Sequence, residues 1–266
     1  MTHLPNAPLV YTLGQIRFPP IPMERFAPLF HDAVRADMPH CDTFDLQQIQ
    51  VAFGPEGIKA NQVPLRLWQI ASPDRKLAVI LTPNSLSLHT NSYRDHKSFI
   101  RDFEGVLATL IAIPDIGIKW TVGVALRYID LVAPPDGESV DSLLDPTVLP
   151  PAMSDVAGLE IVEGAYVSQY RVGETSVRFQ VLRNPHAVFP PDIESPLMGI
   201  NNWTIPRPPK AFAVIDTDCS ASFSDTTSLD VSAIVEHMYE LRRVAKAIFE
   251  HVGTKSANSL WKGRAS

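Results

Sequence analysis

Twenty-four prolines against 13 glycines cut this chain into short segments, and that punctuation limits what it can fold into. Proline lacks an N–H and holds φ at about −65°, so it ends strands and helices instead of continuing them. The prolines gather at Pro19, Pro20 and Pro22, at Pro134 and Pro135, at Pro150 and Pro151, at Pro190 and Pro191, and at Pro206, Pro208 and Pro209. Every regular element has to fit between these stops.

The segments between them read mostly as strands. Residues 9–18 (LVYTLGQIRF) are aromatic and β-branched. Residues 43–53 and 65–72 alternate apolar and polar, turns at Ser72-Pro73-Asp74 and Pro83-Asn84 lead into 76–82 and 85–91, and the four segments predict a β-meander. Gln47-Gln48 interrupts the alternation in the first of these strands, which predicts a bulge there. Gly54-Pro55-Glu56-Gly57 reads as a turn. Residues 118–132 (IKWTVGVALRYIDLV) form a long strand, 159–171 and 175–183 a hairpin across Val172-Gly173-Glu174, and 211–217 a further strand that continues through Ser220–Phe223.

Three segments carry helical spacing. One opens at Pro22, with Phe26, Leu29, Phe30, Ala33 and Val34 in register. In the second, Ser92 and Asp95 make a capping-box-like start to the stripe Phe99, Phe103, Val106, Leu107, Leu110 and Ile111, and Pro114 stops it. In the third, Asp230 caps a stripe running from Val231 through Ile234, Met238 and Leu241 to Phe249.

The order predicts a single α+β domain over 1–266, built on a mostly antiparallel, curved sheet with helices on one face. The first half reads β-α-β4-α and the second echoes it, with Ile16-Arg17-Phe18 matched by Leu126-Arg127-Tyr128. Two pseudo-repeats, 8–114 and 118–250, are the expectation, and TATA-binding-protein-like and helix-grip folds are the analogies at the level of fold.

Composition bounds the function. With 266 residues, 45% hydrophobic and 20% charged, the chain buries a sizeable core. A net charge of −6 argues against a nucleic-acid partner, whose binders carry a basic face. Cys41 and Cys219 form no CxxC pair and read as two reduced thiols in a cytoplasmic protein. No basic-then-apolar leader precedes the first strand, and no apolar run approaches the about 18 residues of a membrane span.

In set order along the chain stand PLVYTLGQIRFPP, LTPNSLSLHTNSY, VALRYIDLV, VIDTDCS and FEHVGTKSANSLW. In these the chain resembles a sporadically distributed, uncharacterised bacterial family of about 250 residues, marked by an L-R-Y-[IV]-N strand. Here that strand is Leu126-Arg127-Tyr128-Ile129-Asp130, with Asp in place of Asn and Ala125 in place of the family's preceding Gly. The family's Leu-His-Asp pattern in the closing helix falls on Met238-Tyr239-Glu240, which has no His. The resemblance supplies no chemistry. Its patchy distribution implies genes that move in defence or toxin–antitoxin cassettes.

Arg17 and Arg127 are the first candidates for chemistry, because a guanidinium within an apolar strand needs an anion. With Tyr128, Asp130 and His89 they would line a groove for an anionic small molecule or nucleotide. The plainer reading is a structural ion pair with Asp130, Asp216 or Glu160, or a side chain on the wet face. Asp216 and Asp218 alternate onto one side of a strand, where a divalent cation would fit, but a strand end with an Asx-turn explains them as well. His89 suits acid–base work near neutral pH, yet it has no Ser or Cys nucleophile beside it, and a hydrogen-bonded edge histidine is the simpler account. His31, His40, His96, His186, His237 and His251 lack zinc spacing, and no glycine-rich phosphate loop is present, so no cofactor or metal is expected. Trp203, with Asn201 and Asn202, lies in the Pro-rich loop 185–209 and is the candidate contact for a partner, while Trp68 and Trp120 read as core. Arg242, Arg243 and Lys246 read as a solvated helix face.

These residues point first to a non-enzymatic binding or interaction protein that holds a protein partner or itself. The second possibility is a ligand-binding or hydrolytic protein working through Arg17 and Arg127.

Overall fold

The computed structural model describes residues 6–54, 57–151, 153, 156–193 and 205–262, with the backbone alone at 47–54, 57–63, 191 and 224–226. In chain order the elements are β1 (Leu9–Arg17), α1 (Met23–Val34), β2 (His40–Gly54), β3 (Gly57–Ala71), β4 (Leu77–Thr82), β5 (Ser85–Thr90), α2 (His96–Ile111), β6 (Trp120–Val132), α3 (Val140–Leu143), β7 (Gly164–Val172), β8 (Thr175–Arg183), the single turn α4 (Pro191–Ile193), β9 (Ala213–Ser228), α5 (Val231–Val252) and α6 (Lys255–Trp261). The strands form one curved, open, nine-stranded sheet in the order β2-β3-β4-β5-β1-β6-β9-β8-β7, and every neighbouring pair is antiparallel. The expected α+β class with an antiparallel sheet and helices packed on it is what the chain adopts.

β1 and β6 lie side by side at the centre. Gln15 pairs with Ala125, and Arg17↔Gly123 and Leu13↔Arg127 flank that pair. Arg17 and Arg127 each stand two residues beyond the central pair on their own strand, so the sequence echo falls on a local two-fold. Outward from this centre the first half adds β5, β4, β3 and β2, and the second adds β9, β8 and β7.

One face of the sheet carries α1, α2 and α5 over the main core, which includes Ile16, Phe30, Leu81, Leu88, Phe103, Leu107, Leu126, Val181, Ile215 and Leu241. Gly14 leaves room for side chains of α2 and α5 above it. A Cβ at Gly14 would come within 2.7 Å of Met238 Cε and 3.2 Å of Phe99. The other face is covered near β1, β6 and β9 by the chain after β8. There Val188, Phe189, Ile193 and Phe212 pack on Tyr11, Leu13, Ile129 and Val214. Asn184 pins this cover, since its amide donates to Phe212 O and its Oδ1 accepts from Phe212 N, each at 2.9 Å.

Several expectations are corrected. The β2–β3 register runs without a shift through Gln47↔Pro64 and Gln48↔Val63, so no bulge lies there; the shifts fall between Leu9 and Tyr11 and between Thr121 and Gly123. The hairpin is longer than alternation indicated, because Gly57–Leu67 of β3 pairs with β2 alone. That half of β3 tolerates Pro64 because the side away from β2 has no strand to receive an N–H. Its tip, Pro55-Glu56, lies outside the described residues. Asp95 caps α2, accepting from the amides of Lys97 and Ser98, and Ser92 stands outside the cap. Trp120 opens β6 with 47% of its surface exposed and is not core, whereas Trp68 is buried. Both cysteines are free thiols, Cys41 exposed and Cys219 buried. Among the described residues no helix is long and apolar enough to cross a membrane.

Candidate functional site

The sheet divides the residues that the sequence grouped into one groove. Strand alternation puts Arg127 on the face away from the long helices, with Leu13, His89, Asp216 and Asp218. Tyr128, with Thr12 and Thr217 as its strand neighbours, and Asp130 are on the helix side. Arg17 shares the face of Arg127 but sits four residues away in the β1–β6 register.

Arg127 is an ion-pair centre. Its Nε donates to Asp216 Oδ1 at 2.8 Å and its Nη2 to Asp216 Oδ2 at 2.6 Å, a bidentate fork. Nη1 and Nη2 also reach the Asp192 carboxylate, which the α4 turn brings over from the cover segment. Four of the five guanidinium N–H groups are therefore used by the protein itself. Gln180 Nε2 donates to Asp216 from the neighbouring strand β8. Only 8% of the Arg127 side chain and 3% of that of Asp216 are exposed, against 57% for Asp192. Burial works against the charged guanidinium, but the two carboxylates overcome it and raise its pKa. Asp192 is pulled the other way: burial favours its neutral form, and the hydrogen bonds from Arg127 outweigh that and lower its pKa.

Asp218 stands directly beside both Arg127 and Arg178 in the ladder. Burial raises its pKa, Arg127 opposes that, and Asp216 and Asp192 add to the rise. Three carboxylates thus surround Arg127, and an incoming anion would meet net negative charge. Asp216 and Asp218 do share a side, as alternation predicted, but the guanidinium occupies Asp216. No group of three or more His, Cys, Asp or Glu residues is placed to hold a metal among the described residues.

Arg17 is partly exposed and its Nη2 donates to Ser222 Oγ at 3.0 Å. Gly123 makes room for it, since a Cβ there would lie 2.8 Å from that Nη2. His89 is fully buried between Tyr11 OH, 3.2 Å from its Nδ1, and Gln69 Nε2, 3.4 Å from its Nε2. Burial pushes its pKa down to about 3, so the ring is neutral at physiological pH and serves as a hydrogen-bonding strut. A 15N-detected titration of the side chain is expected to show His89 uncharged at pH 5, where ordinary histidines are protonated. An imidazole titrating near 6.5 would contradict this placement.

The helix side holds the less satisfied cluster. Tyr128 is buried, the Arg242 guanidinium lies 5.5 Å from its ring centroid, and Tyr93 meets it edge-on at 6.0 Å. Asp130 is 5% exposed, and its carboxylate forms no hydrogen bond or ion pair among the described residues. Burial raises its pKa to about 7, against the attraction of Arg242. Thr12 Oγ1 and Arg242 Nε, both buried, also lack a partner among the described residues.

Sequence reasoning missed Asp192, Gln180 and Arg242. Gln180 was the most accessible of these, since it is a polar residue in the apolar strand VRFQVLR. Asp192 sits in a loop that gives no period to read. The helical period places Arg242 on the solvated face, but it turns onto the Tyr128 ring. The partner candidates Trp203, Asn201 and Asn202 lie outside the described residues.

No family model matches this chain, and no curated protein matches it. Its function has to be read from its own geometry.

Proposed function

We propose that this chain is a non-enzymatic interaction protein that receives an extended strand of a partner along the outer edge of β7. The observation that carries this reading is where the exposed apolar side chains fall. Val162, Val167, Tyr170 and Val172 are exposed by 80%, 56%, 48% and 54% and lie on β7 or just before it. Met153, Val156 and Leu159, each more than half exposed, lead into the same strand. β7 ends the sheet, and no described strand pairs with its outer side. Edge strands that avoid pairing carry charges or proline, yet β7 has neither apart from Arg171. The opposite edge strand, β2, carries Asp42 and Asp45 near its start.

The alternative, an anion-binding groove, loses support because the protein's own carboxylates fill Arg127 and because Arg17 stands apart from it. A defence or toxin–antitoxin setting rests on the resemblance alone. The reading is tested by co-expression with the products of the flanking genes. A complex formed by the natural chain and lost in Val167→Pro supports it. Proline there removes an edge N–H without breaking the sheet's own ladder. A complex that Val167→Pro leaves intact overturns it.

A further inference from the structure

We infer that the strand received by β7 is β7 of a second copy, paired antiparallel about Val167, so that two sheets join into one. This rests on the reading of β7 as a docking edge and names its occupant.

The ladder geometry comes first. β7 and β8 are joined by the two-residue turn Gly173-Glu174, with Gly173 at φ +57° and Val172 paired to Thr175. In a two-residue hairpin the pair that closes the turn exchanges hydrogen bonds. Val172 therefore directs its backbone groups toward β8, and so do the other even-numbered residues of β7. The groups of Ala165, Val167, Gln169 and Arg171 point to the open side. A two-fold axis at Val167 sets Val167 against its own copy, Ala165 against Gln169 and Glu163 against Arg171. The pairs within β7 are outward-facing positions, so the new ladder makes its hydrogen bonds in phase.

Side chains agree with that register. Carried two residues past Gly164, it brings Val162 opposite Val172, two apolar residues each more than half exposed. Tyr170 falls beside Gly164 of the other copy, over Pro150, which already lies against that glycine. Glu163 meets Arg171, and because the contact is symmetric the pair forms twice. Neither residue has an ion-pair partner among the described residues. Shifting the axis by one residue toward either end separates the charges and sets Val172 against Gly164 or Glu160. Pairing about Val167 is the register that matches apolar to apolar and acid to base together.

The test is the mass of the purified chain alone, measured by sedimentation over a wide concentration range. The natural chain is expected to dimerise, and Val167→Pro to be monomeric with its thermal midpoint retained. Glu163→Arg sets arginine against arginine at both symmetric contacts and raises the dimer dissociation constant about tenfold. Arg171→Glu has a like effect, and the double variant returns to within about threefold of the natural value. Under mild oxidation a Val167→Cys, Cys41→Ser chain cross-links to itself. A natural chain that stays monomeric overturns self-pairing, while a flanking-gene complex sensitive to Val167→Pro would leave β7 as a docking edge for another protein. A dimer indifferent to Val167→Pro, or a double variant no better than the singles, also overturns it.

Discussion

Replacing Arg127 with Met is expected to cost about 3–5 kcal/mol of unfolding free energy, whereas Arg17→Met should change it by less than about 0.5 kcal/mol. The difference comes from what each substitution leaves behind. Without Arg127, Asp216 keeps a carboxylate that is 3% exposed and supported, among the described residues, only by Gln180. An uncompensated buried charge carries the full penalty of desolvation, while a well-packed apolar replacement of the whole pair avoids it. Arg127→Met combined with Asp216→Leu should therefore recover most of the loss. Urea denaturation of the three variants decides the matter. Equal losses at positions 17 and 127, or no recovery in the double variant, would remove the ion-pair account of Arg127. The result would also bear on function, since a guanidinium held for stability is not free to bind a ligand.

Asp130→Asn should stabilise the protein, and by an amount that depends on pH. The carboxyl has its usual value of 3.8 when the chain is unfolded and about 7 in the folded protein. The folded state therefore binds the proton more tightly. Below about pH 4 the carboxyl is neutral in both states and imposes no penalty. Between about 4 and 7 the unfolded state ionises first, so the native protein loses stability as pH rises. Above about 7 the loss is constant, at most about 4 kcal/mol for a shift of about three pH units. Asn removes the ionisation and keeps the shape. The thermal midpoint of Asp130→Asn should exceed that of the natural chain at pH 8, and the two should converge near pH 4. A difference that stays the same across this range would mean that the carboxyl is not the cause. His89 acts in the opposite sense. Its depressed pKa lowers native stability only as the pH falls below about 6.5 toward 3.

The split between Arg127 and its neighbours shows what the sequence could and could not convey. Period-two alternation already implies that Arg127 and Tyr128 face opposite sides of a strand. One groove therefore cannot hold both side chains. The same alternation placed Asp216 and Asp218 together, and the strand order of the central pair turned the Arg17–Arg127 echo into a real symmetry of register. Apolar stripes located α2 and α5 because helix packing leaves a strong period. The first half of β3 was hidden because LysAlaAsnGlnValPro has little strand propensity, and pairing with β2 outweighs it. The Asp192 contact was unreadable for another reason. It depends on a loop folding back over the sheet, and loops carry turn chemistry but no period that says where they land.

The strand at the centre of this sheet is also the first one in the chain. Residues 9–17 pair with 85–90 on one side and with 120–132 on the other. A growing polypeptide therefore exposes Tyr11, Leu13 and Ile16 until much of the chain has emerged, and the sheet cannot close by adding strands in order of synthesis. Long sequence separation between paired strands slows folding because the loop must close before the contact rewards it. Order of synthesis and position in the sheet are thus out of step: β1 gains its second neighbour only with β6, and β6 in turn waits for β9.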